Sequence, residues 1–331
     1  MRGVTILTRF AADRVAKRLR RYIAPLMSDA ALDESRFDAL LMGNGSGNLD
    51  RFVKRKSGSP RIISNIELPT LCETFPAAQG RTFSWLKERT AHCLAGRFCE
   101  LGSGYIDLSD STGGIRWLED FKSGVTWPLT HYLRTEIVKG DSVSDIKTIW
   151  ELSRFQIGPN LAQMELLTGD DIYRKRFIEL VDDWQRKNPY PLGPNWNCSM
   201  EVALRAMNLL LALELFERRS PLPEPFLKAV YVALFQHGRH IRANPENTAR
   251  GLNTNHYLAN LIGLLTLGSF FEELPECAEW RDFAVEELAV EIDLQTTEDG
   301  FCYESSSAYH LLVLEFYLYA LMFCRNNGII L

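Results

Sequence analysis

From residue 145 onward the apolar positions of this chain recur at i, i+3, i+4 and i+7, in segments closed by Gly, Pro or Asn. The pattern predicts helices over 146–168, 171–187, 198–217, 224–243, 256–271, 279–295 and 306–325. The breaks carry their own chemistry. In TGDD, Gly169 suits a helix C-cap and Asp170 the N-cap of the next helix. NPYPLGPN then interrupts the chain before the third helix. Helix, short break, helix, repeated without strands, describes antiparallel helical hairpins. Long arrays of this kind close into an (α/α) toroid, and a stacked solenoid shares the pattern. The fold class is all-α.

The first part of the chain reads differently. Val15, Leu19, Tyr22 and Ile23 give residues 12–28 one apolar helical face among basic residues. Residues 43–69 turn to Gly, Ser, Asn, Lys and Pro, the composition of an exposed connection. A polar-rich helix is predicted over 83–95, followed by an irregular stretch with short strands over 97–135. The expected organisation is an N-terminal helical arm and linker (1–95), an irregular lead-in (96–140) and the array of helical hairpins (141–331).

Composition narrows the function classes. A net charge of −5 over 331 residues argues against a nucleic-acid partner, whose binders present a dominant basic surface. It leaves room for an anionic sugar, because a few cations in a cleft outweigh a mildly acidic exterior. The seven cysteines are irregularly spaced without a C-x-x-C pair, so reduced thiols are expected rather than a disulfide framework or zinc knuckle. The longest apolar run, 311–324, is short and interrupted by Glu315, so no membrane span is expected. The N-terminus lacks a continuous apolar h-region, which reads as cytoplasmic by default, or periplasmic if the N-terminus is incomplete. Serine-hydrolase, zinc-protease, P-loop and dinucleotide-binding motifs are all absent from the sequence. His237 and His240 share a helix face without further metal ligands in reach of the pattern.

Three clusters place polar groups where a core helix needs apolar ones. Glu201, Arg205 and Asn208 form one stripe on an otherwise apolar helix, either a surface Glu201–Arg205 pair or a set facing inward; the apolar flanks favour inward. Glu151 and Arg154 repeat the motif beside Trp150. In GLNTNHYLAN, Asn253 and Asn255 precede a helix start, and His256 and Asn260 lie one turn apart. Read locally, Asn255 is an N-cap and His256 a satisfied core histidine. In DGFCYESSSAYH, one of Ser305, Ser306 or Ser307 caps a helix whose first turn presents Tyr309 and His310.

At these residues the sequence resembles the heparinase II/III-like polysaccharide lyases. The stretches are FKSGVTWPL (121–129), DIKTIWELSRFQ (145–156), LLTGDDIY (166–173), NPYPLGPNWNCSMEVALRAMN (188–208), NHYLANLIGLLTLG (255–268) and DGFCYESSSAYHLLVLE (299–315). The resemblance implies that residues 141–331 form an incomplete (α/α) toroid, the catalytic domain, and that the chemistry is β-elimination on acidic glycans such as heparan sulfate or alginate. It also implies a cleft with an Asn, often followed by His, and a Tyr a little over fifty residues later. Asn255, His256 and Tyr309 match that spacing. Family members usually continue into a C-terminal β-sandwich that adds cleft residues, so a missing partner domain or a homo-oligomer is expected, with no cofactor and no metal.

The chemistry accounts for those residue types. Removing a proton next to a charged carboxylate gathers more negative charge there, which Asn255 and His256 would stabilise. Tyr309 is the expected acid toward the leaving oxygen, and the base for one substrate stereochemistry. A phenol ionises near pH 10, so base work needs a nearby cation, for which Arg205 and Arg154 are candidates. Arg154, Glu201, Arg205, Asn208, Asn253 and His310 are expected to line the glycan site. Trp127, Trp150 and Trp196 offer flat surfaces to sugar rings, with core packing as the equal alternative. The alternative function is a catalytically incomplete acidic-glycan-binding or scaffold protein on the same toroid.

Overall fold

The apolar periodicity resolves into eleven described helices in a computed structural model that describes residues 31–41, 48–56, 62–63, 74–75, 79–137, 143–247 and 253–331. They are α1 (Glu34–Leu40), α2 (Asn48–Lys56), α3 (Gly80–Leu94), α4 (Lys147–Ser153), α5 (Ile157–Thr168), α6 (Ile172–Lys187), α7 (Ser199–Glu217), α8 (Glu224–Ala243), α9 (Asn255–Phe270), α10 (Pro275–Gln295) and α11 (Ser307–Asn327). The all-α reading holds. Among the described residues, strand is confined to an antiparallel pair, β1 (Arg97–Phe98) and β2 (Ile106–Asp107), in the irregular lead-in.

Helix α9 is apolar on every side, and a helix of that kind belongs inside. It packs against α7, α8, α10 and α11. A Cβ at Gly268 would sit 2.6 Å from the Cys277 carbonyl oxygen and 2.7 Å from the Arg281 nitrogen, so only glycine lets α10 approach this closely. Helix α7 is nearly as buried and joins α9 to the α5–α6 hairpin. The starts of α7, α9 and α11 and the turn before α5 meet on one rim. Side-chain contacts between those starts, described below, fix that gathering.

Gly169 takes the left-handed conformation (φ 80°) of a C-cap, as the TGDD signal predicts. The N-cap of α6 is Asp171, while the Asp170 carboxylate accepts the Ile172 N–H at 3.0 Å. The predicted helix over 146–168 is two helices. Phe155 breaks it at φ 58°, a left-handed conformation held because its ring is buried against Trp117 and Trp184. The break frees the Arg154 carbonyl, which accepts from Asn208 Nδ2 at 2.9 Å.

The exposed connection expected over 43–69 contains a helix instead. Leu49, Phe52 and Val53 fall at i, i+3 and i+4, and that short apolar stripe drives α2 onto the core. Phe37 of α1 and Phe52 of α2 enter one aromatic cluster with Tyr231, Phe235, Phe270 and Phe271. The helix expected over 12–28 lies outside the described residues. The lead-in is tied down by Asp183 of α6, whose carboxylate accepts from the Ile115 N–H and Trp117 Nε1, both at 2.9 Å, and pairs with Lys187.

Helix α11 buries Val313, Phe316, Ala320 and Phe323 and turns Leu311, Leu314, Leu318, Leu321 and Met322 to the exterior. Among the described residues it is the one helix long and apolar enough, by length and composition, to cross a membrane. The sequence pattern weighs only the run 311–324 and treats Glu315 as a break in it, whereas the helix spans 21 residues with Glu315 inside it.

Candidate active site

The rim is built from helix starts, and each start brings one piece of chemistry. Cys198 occupies the N-cap position of α7 in extended conformation. Thr254 caps α9, its hydroxyl accepting the His256 N–H at 3.3 Å, so Asn255 opens the helix proper rather than capping it. Ser306 caps α11 by accepting the Tyr309 N–H at 3.4 Å. Helix N-termini carry roughly half a positive charge each, so a rim of them favours anions in a chain that is acidic overall.

At the start of α9 a carboxylate is already gripped. Glu304 accepts from the Asn255 N–H at 2.7 Å and from Asn255 Nδ2 at 2.9 and 3.1 Å. Next to it, His256 Nδ1 lies 3.0 Å from Glu246 Oε1. That hydrogen bond raises the His256 pKa above its ordinary value and outweighs the opposing effect of burial. Burial pushes the Glu246 carboxyl up, but hydrogen bonds from His256, the Met200 N–H and Asn260 bring it below the usual carboxylate range. Cys198 Sγ completes the group, 3.4 Å from Glu246 Oε1 and 3.7 Å from His256 Nδ1. Its thiol is pushed up by burial and by the carboxylates of Glu246 and Glu201.

Tyr309 stands in the first turn of α11 with 46% of its surface exposed. Its helix start follows Glu304 directly, so Asn255 and Tyr309 flank one loop. His310 turns the other way, accepting the Cys302 N–H at 3.3 Å and stacking on Phe301. It lines a small apolar cavity of about 170 Å³ with Val313, Leu314 and Tyr317. Asn253 is buried and donates to Glu291.

The second cluster is an ion network rather than an open glycan surface. Arg154 holds Glu201 through two hydrogen bonds, at 2.6 and 2.8 Å, and Glu151 at 2.6 Å. Burial opposes the Arg154 charge, and the two carboxylates overcome it and raise the pKa. The Glu201–Arg205–Asn208 stripe does face inward, but Glu201 pairs across to Arg154 and not along the helix to Arg205.

Several residues expected at the glycan site lie in the core, which corrects those expectations. Arg205 is fully buried: its guanidinium lies 4.3 Å from the Trp184 ring and 5.2 Å from Trp196, and donates to His237 Nε2 and the Asn195 carbonyl at 3.0 Å. Burial lowers its pKa to about 9, so it stays charged at neutral pH, and its guanidinium is held by core partners. Trp127, Trp150 and Trp196 are each less than a tenth exposed, with indole N–H groups bonded to Ser144, the Pro194 carbonyl and the Asn188 carbonyl. Glu201 is likewise buried beneath Arg154. The sequence reading passed over Glu246, Glu304 and Cys198. Glu304 was within reach, five residues before Tyr309, whereas no spacing joins 198, 246 and 256.

His237 gives the core a pH response. Burial, and then the Arg205 and His240 charges, lower its pKa far below 6.5, and its Nδ1 donates to the Ala233 carbonyl while Nε2 accepts from Arg205. The unfolded chain takes up a proton there near pH 6.5 and the folded chain does not. Stability at this site is therefore complete above that pH and falls as the pH drops through it. His237→Gln, which retains an acceptor for Arg205, should flatten the acid limb of a urea-midpoint profile by about 1.4 kcal/mol per pH unit relative to wild type. Parallel profiles for the two proteins would refute a neutral His237.

Comparisons with known proteins bear on this rim. The heparin-sulfate lyase of Pedobacter heparinus is 27% identical over 183 residues, which cover 54% of this chain and 27% of that protein. The heparin-sulfate lyase of Bacteroides stercoris is 26% identical over 200 residues, covering 54% of this chain and 29% of that one. The crystal structure of the heparan sulfate lyase HepC from Pedobacter heparinus superposes with a TM-score of 0.59 at 21% identity, over 88% of this chain and 41% of that one. Heparinase III superposes with a TM-score of 0.61 at 16% identity, over 85% and 39%. These likenesses show the incomplete toroid fold, in a chain that matches less than half the length of either solved relative. The family described as Heparinase II/III N-terminus matches residues 98–330, well over half of the sequence, and the protein belongs to that heparinase II/III-like family.

Proposed function

We propose that this chain is the helical, cleft-bearing part of a polysaccharide lyase that cleaves a uronic-acid-containing glycan of the heparan sulfate class by β-elimination. The observation that carries the reading is the carboxylate grip at the start of α9, where the Asn255 backbone and side-chain amides hold the Glu304 carboxylate beside His256. A uronate carboxylate is the same chemical group, and in this reading it displaces Glu304. Neutral donors and a histidine whose pKa Glu246 raises then hold the charge that builds on that carboxylate when the C5 proton leaves. The C5–H electron pair forms the C4–C5 double bond, the C4–O bond breaks, and the departing oxygen takes a proton from Tyr309. Where the C5 hydrogen lies on the Tyr309 face, Tyr309 acts ionised and its oxygen passes that same proton to the departing oxygen; where it lies on the opposite face, a base across the glycan takes the C5 proton and the Tyr309 phenol supplies the one the departing oxygen needs. The names of the relatives as heparin-sulfate lyases support this substrate class.

The test is absorbance of the unsaturated uronate product, with purified chain against heparan sulfate, heparin, hyaluronan, chondroitin sulfate and alginate. Activity is expected on heparan sulfate above the others. Glycan retention without product on any of the five would replace this reading with that of a binding domain.

A further inference from the structure

We propose that Cys198, Glu246 and His256 form a binding site for a zinc-class divalent cation on the rim. The sequence reading expected no metal. The three ligand atoms come from three elements: the N-cap of α7, the segment after α8 and the first turn of α9. Glu246 Oε1 lies 3.0 Å from His256 Nδ1 and 3.4 Å from Cys198 Sγ, and Sγ lies 3.7 Å from Nδ1. A tetrahedral ion with zinc-like bond lengths separates its sulfur, nitrogen and oxygen ligands by about 3.3–3.6 Å. The three observed edges, 3.0, 3.4 and 3.7 Å, each lie within about 0.3 Å of that range.

The surroundings hold it there. The other Glu246 oxygen, Oε2, accepts from the Met200 N–H at 2.6 Å and from Asn260 Nδ2 at 3.3 Å, which turns Oε1 toward the thiol and the ring. Asn260, fully buried, also accepts the Glu246 N–H at 2.8 Å and fixes the segment after α8. Such outer contacts orient ligands and set metal affinity. A thiolate, an imidazole and one carboxylate select zinc-class ions over magnesium or calcium, which take oxygen. Three protein ligands leave a fourth position, and the His256 and Glu246 side chains are 41% and 27% exposed, so that position opens to solvent. Binding displaces the Cys198 thiol proton to solvent and takes His256 in its neutral form. The cation then supplies the positive charge beside Asn255 that protonated His256 supplies without it. The site does not depend on glycan cleavage.

Cobalt(II) titration of the full chain reads the site without an activity measurement. One equivalent should give a near-ultraviolet thiolate-to-cobalt charge-transfer band that zinc displaces, and Cys198→Ser should abolish it while leaving the far-ultraviolet circular dichroism unchanged. Asn260→Ala should weaken cobalt affinity by about 10- to 100-fold. If Cys198→Ser does not fold, His256→Gln at the half-exposed ring serves in its place, with a loss of at least about 10-fold expected. No band at millimolar cobalt, a band that survives Cys198→Ser, or unchanged affinity in His256→Gln would overturn the assignment.

Discussion

Tyr309→Phe is expected to lower turnover on the glycan that the chain cleaves by about 100- to 10,000-fold, with KM changed little. The substitution removes one oxygen and leaves the ring. Because the Tyr309 side chain is about half exposed in the first turn of α11, and its backbone N–H keeps the Ser306 cap, the fold should lose no more than about 0.5 kcal/mol. Rate and stability therefore separate cleanly. A residue that merely positions substrate would raise KM, whereas one that delivers the proton to the leaving oxygen lowers kcat. The readout is steady-state product absorbance beside a thermal melt. Wild-type turnover in the variant would remove Tyr309 from the reaction, and a large drop in melting temperature would make it a structural residue.

The parts of this fold that were legible in the sequence are those where one helix decides its own fate. Residues 224–243 have the same bounds in the pattern and in the structure, because Pro223 and Asn244 end the helix locally. Elsewhere a local pattern met a tertiary override. Phe155 has no sequence signature of a breaker, and its left-handed backbone exists only because Trp117 and Trp184 enclose the ring. Helix α2 was hidden by its Gly-, Ser- and Lys-rich flanks, and its stripe of three apolar residues is too short to outweigh composition.

The rim was legible in the same uneven way. Asn255, His256 and Tyr309 were singled out because each opens a helix and because their spacing resembles a known family. Whether a polar residue on an apolar helix faces a cleft or a core could not follow from periodicity. Arg205 and Glu201 share a stripe, yet the structure places an aromatic box on one and Arg154 on the other. The Cys198–Glu246–His256 group depends on where the residues after α8 come to lie, which no local rule specifies.

Arg205→Ala is expected to destabilise the protein by about 4 kcal/mol, the largest effect of any single core substitution discussed. Replacing a buried charge with an apolar side chain is often harmless when its partners are replaced too. Here they remain. His237 Nε2 and the Asn195 carbonyl would each lose a donor at 3.0 Å in a region where water does not reach either group. The Trp184 and Trp196 rings would face a void in place of the guanidinium plane. Arg205→Met separates these contributions. It fills much of the space and removes the cost of burying a charge, but leaves both acceptors unmet, so it should lie between wild type and Arg205→Ala. Urea unfolding followed by tryptophan fluorescence measures all three proteins. An Arg205→Met protein as stable as wild type would mean that packing alone holds the box together. An Arg205→Met protein as unstable as Arg205→Ala would mean that the hydrogen bonds to His237 and Asn195 carry the whole effect. The intermediate value would assign to Arg205 both tasks, filling the aromatic box and clamping the end of α4 and the Asn195 turn onto α7 and α8.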